Sequence, residues 1–280
     1  MTESPIAELH QLQLSYGKAA PTLRGLDWRL HRGQVVGLLG RNGAGKPSLI
    51  EALLGLRAPS AGRANLYGMP AQRPSDAVRA KIGYVPQHSG LFEDLGVQQL
   101  LDYFASFYPQ WNTAKVDQLL SRWDIPKQQR VGSLSGGQQQ RLSIIRALGH
   151  EPELLVLDEP VASLDPSARR DFLRELVEQV VERGTTVLFS THILSDLERV
   201  AVEVAFLREG RIALQAPLDE LMEQTRRVDA GLQPQASAIG MAPIGRPELG
   251  LLRGDWAAAP PALQAQSQPL SLETLFEALA

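Results

Sequence analysis

A short apolar run, a glycine-rich turn and an amphipathic helical pattern follow one another without interruption in QVVGLLGRNGAGKPSLIEALLG at 34–55. The run VVGLL at 35–39 has the length of a buried strand. Gly40, Gly43 and Gly45 allow positive φ and close approach of the backbone to a ligand. Successive amides in such a turn form a nest for phosphate oxygens, and the following helix N-terminus adds to it. The spacing Gly40-Arg41-Asn42-Gly43-Ala44-Gly45-Lys46 fits the phosphate-loop pattern G-x-x-x-x-G-K, with Lys46 placed to reach β- and γ-phosphates.

The next position departs from that pattern. A serine or threonine is expected there, and the chain has Pro47. Proline offers no hydroxyl to Mg²⁺ and no N–H to phosphate. It also biases Lys46 away from helical geometry, although proline is tolerated in a helix's first turn. Ser48 follows and would supply a hydroxyl if the turn shifted.

A second apolar run ends in two acids, LLVLDEP at 154–160. At the end of a buried strand, Asp158 is placed to hold Mg²⁺ and Glu159 to polarise an attacking water. A third run, TTVLFS at 185–190, precedes Thr191 and His192. Short strands alternating with helical periodicity predict an α/β fold with a mainly parallel sheet. One helix reads clearly: Asp165 caps it, Pro166 starts it and Gly184 ends it. Phe172, Leu173, Leu176, Val177, Val180 and Val181 form its apolar positions. Arg169, Arg170, Glu175 and Glu178 on its other side predict a solvated face, with a partner contact as the alternative.

Residues 91 to about 133 read as a helical insert. Leu100, Leu101, Phe104 and Phe107 mark one helix; Val116, Leu119, Leu120 and Trp123 mark a second. The aromatic residues there are expected in the core. In 230–270, Ala, Gly, Pro and Gln fill 25 of 41 positions, which predicts a loosely built appendage or linker. Helical spacing returns in SLETLFEALA through Leu272, Leu275, Phe276 and Leu279.

Composition narrows the function. The net charge of −3 gives no basic excess for nucleic acid, and none is expected as a partner. The absence of cysteine excludes a disulfide scaffold, a thiolate metal site and a cysteine nucleophile. No apolar stretch approaches the roughly 20 residues of a membrane helix, and MTESPIAELH lacks the layout of a secretory signal. The chain is expected to be soluble and to meet a membrane only through a partner.

LSGGQ at 134–138 completes the set, and with it the sequence resembles the nucleotide-binding subunit of an ATP-binding cassette (ABC) transporter. The resemblance spans residues 8 to about 221, with every motif in order. It implies a P-loop NTPase core with an N-terminal antiparallel β portion and an inserted helical subdomain at about 90–150. A C-terminal appendage over 222–280 would end in a helix. It implies ATP and Mg²⁺ as ligands and two copies, or one copy and a related cassette, meeting head-to-tail. Ser135, Gly136, Gly137 and Gln138 would then contact the γ-phosphate of ATP held by the opposite subunit. Tyr16 resembles the aromatic residue that stacks on adenine. Gln87, in YVPQ, resembles the glutamine that contacts Mg²⁺ and the attacking water and links to the transmembrane partner. Ser163, Leu164 and Asp165 resemble the loop that communicates across the dimer, and His192 the γ-phosphate-sensing histidine. By the same resemblance Lys46, Glu159 and His192 are catalytic, and Asp158, Gln87 and Ser48 serve the metal.

FYPQWN at 107–112 and EPVASLDP at 159–166 look like bacterial ABC-2 type cassettes, which pair with separately encoded permeases. The expected function is ATP hydrolysis powering such a permease from the cytoplasmic face of the inner membrane. Two alternatives stand beside it. One is a regulatory module that binds ATP but hydrolyses little because of Pro47. The other is a soluble cassette acting on ribosomes or DNA.

Overall fold

The computed structural model describes the chain except residues 1–3, 18–19, 193, 195–198, 246–248 and 280. Its centre is a six-stranded sheet in the order β10-β9-β3-β8-β7-β6. These strands are β3 (Val35–Leu39), β6 (Ile82–Val85), β7 (Leu154–Asp158), β8 (Thr186–Ser190), β9 (Glu203–Arg208) and β10 (Arg211–Pro217). All neighbours pair in parallel except the β9–β10 hairpin. Every residue of β3, β7 and β8 is buried, as expected of strands covered on both faces. These are the three runs singled out in the sequence.

A four-stranded antiparallel sheet, β2-β1-β4-β5, packs beside this core. It is built from β1 (Ala7–Leu14), β2 (Leu23–Leu30), β4 (Ala61–Leu66) and β5 (Met69–Pro70). Its apolar residues, among them Leu9, Leu12, Leu26 and Leu30, share one cluster with Leu49, Ile50 and Leu53 of α1 (Lys46–Leu53). The phosphate-loop helix is therefore clamped between the two sheets. A short helix, α2 (Asp76–Arg79), leads into β6.

The helical insert consists of α3 (Val97–Ala105), α4 (Thr113–Arg122) and α5 (Gly136–Leu148). Leu100, Leu101, Val116, Leu119, Leu120 and Trp123 are buried as expected. Phe107 is not: it is 62% exposed, and Phe92 and Tyr103 are exposed beside it. The expectation of core aromatics fails here because α3 ends at Ala105, so Phe107 lies past its buried face.

The long helix α6 (Pro166–Arg183) has the ends read from the sequence. The Asp165 carboxylate accepts from the amides of Ser167 and Ala168, and Gly184 takes φ 64°. Its faces differ from the expectation. Val177 and Val181 are exposed, whereas Glu175 is 4% exposed. Glu175 accepts ion pairs from Lys115 and Arg122 of α4, each at 3.2 Å. The solvated-face reading is therefore corrected at Glu175, which ties α6 to the helical insert.

The segment expected to be loose contains, among its described residues, a small antiparallel sheet in the order β12-β13-β11-β14. Its strands are β11 (Thr225–Arg227), β12 (Ala242–Pro243), β13 (Leu251–Arg253) and β14 (Gln268–Pro269). The helices are α7 (Leu218–Gln224), α8 (Gln233–Ala238), α9 (Pro261–Ala265) and α10 (Leu272–Leu279). Val228, Met241, Leu252, Trp256 and Leu263 make a separate core. The Trp256 indole N–H donates to the Gln224 carbonyl at 2.8 Å, which satisfies its polar edge inside that core. Leu272, Leu275 and Leu279 of α10 pack into the main core.

Candidate nucleotide site

Strands β3, β8 and β7 are neighbours, so their C-terminal ends deliver the candidate residues to one place. In open α/β sheets the crevice beyond those strand ends is where ligands bind. The cleft there has a volume of about 290 Å³. It is lined by Arg41, Asn42, Gly43, Gly45, Lys46, Pro47 and Ser48, by Gln87 and Glu159, and by Thr22.

The loop has the backbone its glycines imply. Gly43 has φ 83° and Gly45 φ 105°. At Gly40 a Cβ would lie 2.7 Å from the Leu207 carbonyl oxygen, so no larger residue fits. Helix α1 begins at Lys46 with Pro47 in its first turn. The expected bias of Lys46 away from helical geometry is not seen, because Gly45 absorbs the change of direction. Nor does the turn shift to bring Ser48 into the place of the expected hydroxyl. Ser48 is buried, and its Oγ shares a hydrogen bond of 2.9 Å with the Tyr16 hydroxyl.

Lys46 is buried. Its Nζ donates to the Gly40 carbonyl at 2.7 Å and lies 3.8 Å from Glu159 Oε1. The other Glu159 oxygen is 2.7 Å from His192 Nδ1. Glu159 is a non-glycine residue at φ 48°, a strained conformation. Asp158 is buried beside it. Desolvation raises the Asp158 carboxyl above its ordinary range; a hydrogen bond from Ser190 opposes that, the Glu159 charge adds to it and Lys46 opposes it. A cation would relieve the same desolvation, and a carboxylate is the hard oxygen ligand that Mg²⁺ takes. The glycine cradle, the buried lysine and this carboxylate together fit a phosphate group with a divalent cation.

Tyr16 is partly exposed, and the Arg57 guanidinium lies over its ring, 4.7 Å from the centroid. Residues 135–138 do not line this cleft. Ser135 instead caps α5: its Oγ accepts from the Gln138 amide at 3.3 Å, while the Gln138 side chain accepts from the Ser135 amide at 3.0 Å. At Gly137 a Cβ would sit 3.2 Å from the Ser163 carbonyl oxygen. The start of α5 thus touches the loop that follows Glu159.

Sequence reasoning missed Thr22, Arg57 and Ser190. Thr22 and Arg57 carry no local signal. Ser190 is the last residue of a predicted strand, two before His192, and could have been singled out on that ground.

The chain matches the family model described as ABC transporter over residues 23–162. It is 38% identical over 227 residues to the daunorubicin resistance ATP-binding protein DrrA3 of Streptomyces coeruleorubidus, covering 79% of this chain and 71% of that protein. It is 37% identical over 223 residues to the Nod factor export ATP-binding protein I of Paraburkholderia xenovorans (strain LB400), covering 78% and 72%. Among solved structures, an ATP-binding subunit of an ABC transporter superposes with TM-score 0.70 at 30% identity, covering 77% of this chain and 91% of that one. A dimeric cassette in a post-hydrolysis state with ADP and Pi shares the fold with TM-score 0.68 at 22% identity, covering 76% and 98%. The chain belongs to the ABC transporter family, as one of its ATP-binding, ATP-hydrolysing cassettes.

Proposed function

We propose that this cassette hydrolyses Mg²⁺–ATP to power export through a separate membrane permease. The observation that carries the reading is Glu159 at the cleft beside Lys46, held between Lys46 and His192, with Asp158 directly before it at the end of β7. Lys46 and the loop amides from Gly40 to Lys46 bind and orient the β- and γ-phosphates. Asp158 would hold Mg²⁺ with Gln87, and water would take the place of the missing hydroxyl, since Ser48 is bonded to Tyr16. When bound, Mg²⁺ neutralises charge that develops between the phosphates. Glu159 accepts a hydrogen bond from the attacking water, and His192 fixes its carboxylate. Tyr16 presents its ring to adenine.

A second copy supplies Ser135, Gly136, Gly137 and Gln138, whose helix N-terminus suits a γ-phosphate. Their position outside this chain's own cleft supports that arrangement.

No helix among the described residues is long and apolar enough to cross a membrane. The relatives named as ATP-binding proteins of drug resistance and export favour a separate membrane chain. We assign that chain to the exposed aromatic cluster. Phe92, Tyr103 and Phe107 meet edge to face, with Phe104 stacked on Phe92. Arg146 lies over Phe104 and donates to the Tyr84 carbonyl at 2.8 Å, three residues before Gln87. A permease segment seated on the cluster would thus be linked, through Phe104 and Arg146, to the strand that leads to Gln87 at the cleft. The relatives named for daunorubicin resistance and Nod factor export favour an exporter.

Co-expression with a candidate permease tests the reading. Phe92→Ser with Phe107→Ser should abolish co-purification while leaving the isolated cassette's ATP turnover within about twofold. Unchanged co-purification would move the docking site elsewhere. A ribosomal or DNA partner in its place would favour the soluble alternative.

A further inference from the structure

Ser190 is fully buried at the end of β8, the strand between the phosphate-loop strand and the acid-bearing strand. It stands in register with Leu38 on one side and Asp158 on the other. Its Oγ is 2.6 Å from Asp158 Oδ1 and 2.9 Å from the Glu159 amide nitrogen. An amide can only donate, so Oγ accepts there, and the hydroxyl proton goes to Asp158. One hydroxyl therefore orients the carboxylate and holds the amide of Glu159, whose backbone is left-handed at φ 48°.

Pro47 gives this bond its importance. In the phosphate-loop pattern a Ser or Thr hydroxyl shares the cation with the acid at the strand end. Here that hydroxyl is missing, and the Ser48 hydroxyl is turned to Tyr16. Asp158 then meets the cation without the hydroxyl that would otherwise share it, with only Gln87 beside it. An oxygen aimed loosely would bind a cation that demands near-ideal octahedral geometry poorly.

We propose that Ser190 is a positioning residue that offsets Pro47, by locking Asp158 in the orientation that accepts the cation and Glu159 in its strained conformation. The proposal rests on reading the cleft as a Mg²⁺–ATP site. It predicts that the residues at 190 and 47 are energetically coupled although neither needs to touch the other.

The test uses the full chain, Ser190→Ala, Pro47→Thr, the double variant and Ser190→Thr. A fluorescent ATP analogue is titrated in chelator and across Mg²⁺ concentrations. The Mg²⁺ dependence of turnover and thermal melting are followed in parallel. Loss of one charge-assisted hydrogen bond should raise the half-saturating Mg²⁺ about tenfold in Ser190→Ala. Binding in chelator should stay the same. Adding Pro47→Thr should return the Mg²⁺ requirement to within about threefold of the parent, and Ser190→Thr should keep it near the parent. If Ser190→Ala shifts the Mg²⁺ requirement equally with and without Pro47→Thr, the compensation is overturned. A lowered melting temperature with an unchanged Mg²⁺ requirement would reduce Ser190 to a core hydrogen bond. If the parent itself bound nucleotide without any response to Mg²⁺, the reading of the cleft would fail first, and the proposal with it.

Discussion

At the residue scale, Glu159 and His150 illustrate two fates of a buried titratable group. Glu159 is held by His192 and lies near Lys46, so its charge has partners and its place faces the cleft. Glu159→Gln keeps the shape and removes the base. Turnover should fall by about 100-fold or more, the usual contribution of a positioned base, while nucleotide binding persists. Parallel ATPase and binding titrations check this, and turnover at the parent rate would remove Glu159 from the chemistry. His150 is buried against Tyr108, with ring centroids 3.9 Å apart. Its Nε2 is 3.1 Å from the Ile82 carbonyl oxygen, and Nδ1 has no partner. Desolvation lowers its pKa to about 4. The unfolded chain, with an ordinary histidine, takes up a proton between pH 6.5 and 4 where the folded chain does not. Stability is thus complete above pH 6.5 and falls as the pH drops. The loss attributable to His150 at pH 5 is about 2 kcal/mol. Urea midpoints at pH 7 and pH 5 should therefore diverge less in His150→Gln than in the parent, and equal divergence would exclude His150 as the cause.

At the element scale, the contact between α4 and α6 is decided by one carboxylate. Glu175 is the buried centre of a Lys115–Glu175–Arg122 cluster, and Gln179 donates to it at 3.0 Å. Removing a carboxylate from such a group leaves two cations facing each other. Lys115 is mostly buried but Arg122 is a third exposed, so the cost falls below that of a fully buried pair, at about 2 kcal/mol. Glu175→Ala should lower the unfolding free energy by that amount, and Glu175→Gln by less, as denaturant titrations would read. A surface-like change under about 0.5 kcal/mol would show that the cluster contributes nothing. The helix itself was readable: Asp165, Pro166 and Gly184 are local signals acting on their own backbone. Which side of it would be buried was not. Val181 and Glu175 both break the simple amphipathic reading, because α4, remote in sequence, supplies cations at one point and no cover at the other.

At the scale of the whole molecule, the cassette is half of a working unit under the proposed function. The phosphate loop and LSGGQ lie apart within the chain, so a complete site would take one from each of two copies. A Lys46→Ala subunit paired with a Ser135→Ala subunit would place both defects in one composite site and leave the other intact. Each homodimer should be inactive, and mixing the two should restore turnover in proportion to the mixed dimer formed. Mixed dimers as silent as their parents would argue against shared sites. Ser135→Ala also removes a helix cap, at a cost of about 1 kcal/mol, so melting should be recorded for the same variants.

The sequence alone determined the strands that are buried on both faces, the glycine turn and the order of the motifs. These depend on residues adjacent in the chain: an apolar run, a φ that only glycine takes easily, an acid at a strand end. It also identified Pro47 as a departure, since a missing hydroxyl is visible in the letters. Tertiary structure alone decided that β8 lies between β3 and β7, and hence that Ser190 reaches both Asp158 and the Glu159 amide. It alone gathered the Ala-, Gly- and Pro-rich segment into a small sheet over Trp256 and Leu252. Strand order and long-range burial arise from pairing and packing between distant segments, whose free energy is not expressed in the composition of either one.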